Sequence, residues 1–346
     1  MPTFSHHYLH SVCHRLLTSN RVKEEHAQLI AEHLVSANLS GHDSHGIIQL
    51  LVYIDRIEKS HILPDAPITI LNETATTARI NGNWGFGYVV TTHAMEMAIS
   101  KAKTSNVGVI SIFQQSHIGR LATYSIAAAH EGMIGFITAD SGRTVKNVVP
   151  YGGKESRLGT NPLCMAFPSN LPGPFCIDLA TASVAKGKVD LAKQRGESIP
   201  LGWIIDKNGQ PSTDPNDLDL GGSILPIGGD QGYKGYGLSV MVEVLSGILT
   251  GLGFGVDPKG IHNDGCFVMA INIEAFRSLK SFTKDITEFA AYLQATPLAP
   301  GAHRVYYPGE LEYITTLERK DKGIFVEDAT WQRITSLIKQ YGIRNL

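Results

Sequence analysis

NVGVISIFQQSHIGRLATYSIAAAHEGMIGFITAD, residues 106–140, changes its hydrophobic period twice. Residues 107–113 are apolar, short and rich in β-branched side chains, and Gln114, Gln115 and Ser116 follow, so they read as a buried strand. From 119 to 130 the apolar positions Leu121, Tyr124, Ile126, Ala127 and Ala128 suit a helix packed on one side. Gly132 stops that helix and 133–139 reads as a second strand. Strand, helix and strand at this spacing form a βαβ unit, which implies a right-handed crossover and a sheet covered on its faces. His117 and Arg120 fall at the turn where the first strand passes into the helix. In an open α/β sheet that turn is where ligands bind.

A chain of 346 residues buries a large core and divides into two structural parts. Hydrophobic residues at 43% and charged residues at 18% are those of an ordinary soluble enzyme, and a net charge of −2 gives no footprint for nucleic acid or an anionic membrane. Cys13, Cys164, Cys176 and Cys266 lie far apart with no CxxC pair, which argues for a reducing compartment and against structural zinc. The start, MPTFSHHYLHSVCHRLL, is too polar for a secretory signal. The longest apolar run, 238–252, contains Glu243, Ser246 and two glycines and is too short to span a bilayer. A cytoplasmic location is the expectation.

Working outward from the βαβ unit, Ser5 caps a first helix with the stripe Tyr8, Leu9, Val12 and Leu16, and a second helix covers 24–38. The loop 40–46 leads to a third helix through Leu50, Leu51, Tyr53, Ile54 and Ile57. Short strands at 68–71 and 78–80 and a helix over 91–105 precede the central strand. Beyond it, strands are expected at 163–167, 175–179 and 266–273, loops over 186–229, a long buried helix from 234 to about 250, and helices at 283–295 and 328–339. Helices crowd both ends and strands fill the middle. The expected organisation is a helical domain of residues 1–70 plus 275–346 and an α/β domain of 71–274.

Three constellations carry chemistry. In GHDSHG, 41–46, Ser44 and His45 can bind and protonate an oxygen, although such polar residues equally well cap and turn a chain. A metal reading of His42 and His45 lacks a further ligand at zinc or iron spacing, and no metal is expected. His117 with Arg120 sits where a site belongs; the plainer alternative is a histidine bonded to a carbonyl and an arginine in a surface ion pair. In GYKGYG, 232–237, glycines at a helix start beside Lys234 suit a phosphate, or else allow tight helix packing. The fingerprints GxGxxG, GxxxxGK[ST] and GxSxG are absent from their required contexts. On the residues alone this is an α/β enzyme with a histidine-based proton shuttle and an anion-binding helix start, its reaction open.

Several stretches together resemble the malate/L-lactate dehydrogenases of the second type: GHDSHG, SHIGRLATY at 116–124, VVPYGGKESRLGTNPL at 148–163, DLATASVAKGK at 178–188, YKGYGLSVMVEVLSGILTG at 233–251 and YYPGE at 306–310. The resemblance spans nearly the whole chain, in family order. It implies a mixed-sheet, non-Rossmann nucleotide-binding core with a helical part built from both termini. It also implies hydride transfer between a 2-hydroxy acid and NAD or NADP, and a homodimer. His117 matches the family's proton acceptor and His45 the histidine assigned as donor in reductase members; we expect His117 to move the proton and His45 to orient the substrate. The expected substrate-binding set is Ser44, Gln49, Tyr53, Arg120 and Arg143. The expected cofactor contacts are Ser141, Asp178, Leu179, Ala180, Lys234, Gly235, Gly309, Glu310 and Leu311. Many members carry an arginine where Gln49 stands, suited to a fork bond with a carboxylate. The neutral residue argues against malate and ureidoglycolate, and leaves Arg120 or Arg143 for the carboxylate or a bulkier, less polar substrate. The alternatives are a reductase of cyclic imino acids and a non-catalytic nucleotide-binding protein on the same scaffold.

Overall fold

In the computed structural model, which describes residues 2–140 and 142–344, the strands β1 (Thr69–Glu73), β2 (Thr77–Gly85), β3 (Val107–Gln115), β4 (Met133–Asp140), β5 (Leu163–Phe167), β6 (Phe175–Leu179) and β7 (Asp264–Asn272) form one sheet in the order β1-β2-β3-β7-β4-β5-β6. Only β2 and β3 pair in parallel. The β3–helix–β4 unit is present, but β7 lies between its two strands and is antiparallel to both. The crossover therefore keeps β3 and β4 in one direction without contact, and the sheet is mixed.

The helices are α1 (His6–Ser19), α2 (Glu24–Leu39), α3 (Ile48–Glu58), α4 (Gly87–Ser105), α5 (Ala122–His130), α6 (Lys186–Arg195), α7 (Gly232–Val242), α8 (Leu279–Gln294), α9 (Glu310–Lys322) and α10 (Asp328–Gln340). A register-linked row of small residues, Gly108, Ala270, Gly135, Ala166 and Cys176, crosses five strands on one face. A Cβ at Gly108 would stand 2.0 Å from the Ala98 carbonyl of α4, and one at Gly135 would stand 2.3 Å from the Ser125 carbonyl of α5. The row lets both helices lie directly on the sheet, over a core of Ile80, Met95, Ile110, Ile112, Tyr124, Ile137 and Val268. A second core joins the two ends of the chain: α1, α2 and α3 pack with Ile324, Val326 and Ile334, and Thr3–Phe4 pairs with Ile324–Phe325. The helix α8 packs instead on Phe175 and Tyr307.

Four sequence expectations change. The helix expected from 119 begins at Ala122, because Gly119 takes φ +71° and leaves 116–121 as an open turn. Within the expected loops of 186–229, α6 forms with Val189 its one buried residue, too little for an apolar stripe to show. The helix expected from 234 begins at Gly232, changes to a π-helical stretch at Glu243–Ile248, and is not buried throughout. Its Leu238, Met241, Ile248 and Leu249 are exposed. The sheet, finally, is covered fully on one face only; on the other the π-helical stretch caps the carboxyl end, where Thr138 and Ser246 hydroxyls lie 2.7 Å apart, and Ile177 is exposed.

Candidate active site

The carboxyl ends of β2, β3, β4 and β6 and the start of β7 share one edge of the sheet. The turn after β3 carries His117 there, and the Asp43–His45 3₁₀ turn between α2 and α3 brings His45 to it: the ring centroids lie 5.7 Å apart. The loop holding His45 is braced. Asp43 takes hydrogen bonds from Asn38 and from both Arg319 terminal nitrogens, and Gln49 Nε2 donates to the Ser44 carbonyl at 2.8 Å. Each imidazole is then oriented through Nδ1. Ser44 Oγ lies 2.9 Å from Nδ1 of His45, and Tyr53 Oη, which is 3.0 Å from Tyr88 Oη, lies 2.7 Å from Nδ1 of His117. Neither Nε2 has a protein partner among the described residues, so both remain for a ligand.

The electrostatics of this cleft are those of neutral bases. Burial pushes the His117 imidazole down to about 3, with His45, His262 and Arg56 adding to the effect and Asp264 opposing it. Burial likewise takes His45 down to about 4, assisted by His42 and Arg120. Burial holds Tyr53 well above its ordinary value, so its hydroxyl keeps its proton across the working range.

Three participants escaped the sequence reading. His262 stands with its ring centroid 6.4 Å from that of His117, and Asp264 lies beneath it. The third is Arg56, half-buried on α3, whose guanidinium has no hydrogen bond or ion pair among the described residues, yet is close enough to act on Tyr53 and His117. Gln49, Tyr53 and Arg56 follow i, i+4, i+7 spacing and form one stripe of α3, a signal present in the sequence.

The expected arginines are already engaged. Arg120 donates to Ser40 Oγ at 2.8 Å and lies 3.8 Å from Asp178, and Arg143 lies 3.9 Å from Asp257 in the loop before β7. Asp178 ends β6, accepts the Ala122 N–H at 2.8 Å, and is raised from its ordinary value by burial against the pull of Arg120. Next to it run half-buried Leu179 and Ala180, and α9, whose Glu312 meets His42 at 3.7 Å. Gly309 caps α9 at φ +93°, where a Cβ would stand 2.4 Å from the Pro174 carbonyl. The Glu310 carboxylate is used internally, by Gln294, Arg304 and the Tyr307 N–H, while Leu311 is exposed. On α7, Lys234 has no ion pair among the described residues and lies over the Tyr233 ring, and Gly235 is there for packing, 2.1 Å separating its would-be Cβ from the Ile227 carbonyl. Ser141 lies outside the described residues.

Two imidazoles with ring centroids 5.7 Å apart, each held through Nδ1, can exchange a proton with one small oxygen. The model of the family Malate/L-lactate dehydrogenase matches residues 4–335, and the chain belongs to that family of oxidoreductases. It is 36% identical to the malate dehydrogenase of Pyrococcus abyssi over 343 residues, 96% of this chain and 93% of that protein. It is 36% identical to the L-sulfolactate dehydrogenase of Methanothermobacter thermautotrophicus, covering 95% and 94%. The malate dehydrogenase structure from Entamoeba histolytica superposes with a TM-score of 0.93 at 32% identity, over 99% of each chain. Dehydrogenases of this family imply a nicotinamide cofactor and a small-molecule substrate. No helix among the described residues is long and apolar enough to cross a membrane.

Proposed function

We propose that the chain interconverts a 2-hydroxy acid and its 2-oxo acid with NAD as cofactor, NADP being the alternative. The observation that carries this reading is the His45–His117 pair at 5.7 Å, with both Nδ1 atoms held and neither Nε2 partnered among the described residues. The residues present fit a dinucleotide. Arg120 Nε is buried without a hydrogen-bond partner among the described residues, beside Asp178, and the Gly309 turn opens the start of α9 next to it. Asp178, Leu179, Ala180, Gly309, Glu310, Leu311 and Lys234 are the proposed contacts, with Ser141 and Gly235 completing the set that the family resemblance implies. The bound nicotinamide supplies the hydride acceptor.

In the oxidation direction His117 takes the hydroxyl proton at Nε2, and the neutral form enforced by burial is the form a base requires. His45 donates to or polarises the same oxygen and orients it, with Ser44 fixing its ring. Arg56, a cation without an ion pair among the described residues on the Tyr53 face of α3, supports a carboxylate site that Gln49, Arg120 and Arg143, each engaged elsewhere, leave vacant. The exposed apolar side chains of α7 and its extension support a homodimer, and the four buried free thiols support a reducing, cytoplasmic setting.

The test is NADH and NADPH oxidation over a panel of 2-oxo acids and cyclic imines. Turnover of a 2-oxo acid that His117→Ala removes while cofactor fluorescence still reports binding supports the reading. Cofactor binding with no turnover on any substrate overturns it in favour of a non-catalytic nucleotide-binding protein.

A further inference from the structure

Asp264 has no part in the reading above, yet it lies against the turn that bears His117 and beside His262. It opens β7 opposite Gln115 and is 5% exposed. Its Oδ2 accepts the Ile118 N–H at 3.1 Å, which ties it to the turn bearing His117, and its Oδ1 lies 3.3 Å from His262 Nε2. The groups that face His117 come from four directions: Tyr53 and Arg56 on α3, His45 on the 3₁₀ turn, Tyr88 on α4, and His262 with Asp264 at β7. Among them Asp264 is the one anion.

We infer that Asp264 and His262 form a dyad that completes the acid–base centre. Asp264 is a positioning residue that anchors the His117 turn, orients His262 and balances the proton His117 receives; His262 closes the substrate pocket opposite His45. This rests on the hydride-transfer reading and deepens it. When the hydroxy acid is oxidised, its O–H bond breaks and the proton goes to Nε2 of His117. The C–H bond breaks with its electron pair leaving to the nicotinamide, and the C=O bond forms. The step creates an imidazolium in a site that burial, two further imidazoles and Arg56 make hostile to it; a fixed carboxylate nearby lowers that cost. His262 Nε2 is buried, makes no aligned hydrogen bond among the described residues and stands 3.3 Å from the Asp264 carboxylate. That charge favours the tautomer with the proton on Nε2 and a lone pair on Nδ1. Burial alone would raise Asp264, but His262, His117 and the Ile118 N–H outweigh it and hold the group below its ordinary value.

The experiment is Asp264→Asn, which keeps the size and the acceptor for Ile118. With a good 2-hydroxy acid substrate we expect kcat to fall about ten- to hundredfold, the acid limb of the kcat profile to move down by about one pH unit, and the cofactor Kd to be unchanged. A limb that stays in place overturns the inference, whatever the loss of folded protein. His262→Gln tests the dyad in a protein that keeps the buried carboxylate: a rise in KM for the acid supports it, and unchanged KM and kcat overturn it. Nitrogen-15 chemical shifts of the wild-type histidines supply a readout that needs no turnover. A His262 protonated at Nε2 supports the dyad, and one protonated only at Nδ1 overturns it even where the dehydrogenase reading itself has failed.

Discussion

Two buried carboxylates occupy adjacent positions on the carboxyl edge of the sheet and titrate in opposite directions. Asp264 lies below its ordinary value; Asp140, whose ladder partner is Gly265, is raised to about 6, burial being the largest cause and Glu243 adding to it against Lys146. Proximity to a cation does not separate them, since Lys146 Nζ lies only 2.9 Å from Asp140 Oδ1. The difference is in the sharing. Lys146 also serves the Gly142 carbonyl at 2.7 Å and Glu243 at 3.4 Å, and the second Asp140 oxygen has no hydrogen-bond partner among the described residues. Two acids divide one ammonium there, whereas Asp264 alone faces three imidazoles and takes a backbone N–H. The Asp140 cluster ties the loop after β4 to the π-helical stretch through Glu243, which Asn161 also holds at 2.9 Å. One carboxylate is placed for chemistry, the other for the frame, and substitutions should separate the two roles.

The largest expected effect is at the chemical end. His117→Ala should reduce kcat by about 10²- to 10⁴-fold with the cofactor Kd retained, measured by steady-state kinetics and NADH fluorescence. At the frame end, Lys146→Met leaves Asp140 and Glu243 buried without their cation, and should cost about 3–5 kcal/mol in urea unfolding. Adding Asp140→Asn to Lys146→Met should recover part of that loss, because one of the stranded charges is removed; a simple sum of the two single effects would mean the groups do not interact.

Acid unfolding sharpens the contrast without kinetics. His117 and His45 have folded values of about 3 and 4, below the ordinary 6.5, so the unfolded chain binds more protons and stability is lost as pH falls from 6.5 towards 4. Asp140 has the reverse sign. Its folded value of about 6 exceeds the ordinary 3.8, so its contribution to stability is full below 3.8 and is lost as pH rises through 6. Between pH 6.5 and 4.5 the double variant His45→Ala/His117→Ala should therefore lose less stability than the wild type, and Asp140→Asn should lose more. Urea midpoints at four or so pH values read both.

What the sequence disclosed follows the same division between local and remote. The βαβ unit was legible because its strand and helix periods are written in consecutive residues, with Gly132 at φ +76° ending the helix. The insertion of β7 between β3 and β4 was not, since antiparallel pairing with a distant segment leaves no local signature. The polar helices α6 and α9 each bury one residue, Val189 and Glu310, and so showed no stripe. At the site, His45 and His117 could be picked out from their loops. His262 and Asp264 could not, because only the ladder pairing of Asp264 with Gln115 brings them to the cleft. Arg56 could have been found, three residues along the helix from Tyr53.

The smallest effect tests how much the orientation of His117 depends on its neighbour. Tyr53 is fully buried, and its hydroxyl lies 2.7 Å from Nδ1 of His117 and 3.0 Å from the Tyr88 hydroxyl. Tyr53→Phe keeps the ring and removes the oxygen, leaving Nδ1 and the Tyr88 hydroxyl without that partner, at a cost of about 1–3 kcal/mol in stability. With its ring no longer fixed, His117 should present Nε2 in fewer productive orientations, and kcat should fall about tenfold with little change in KM. Tyr88→Phe is the control: it breaks the same hydroxyl chain one link further out, leaves the Tyr53–His117 bond, and should move stability without moving kcat by more than about twofold. Equal kcat losses in the two variants would mean that the whole tyrosine chain, and not the single bond at Nδ1, orients the base.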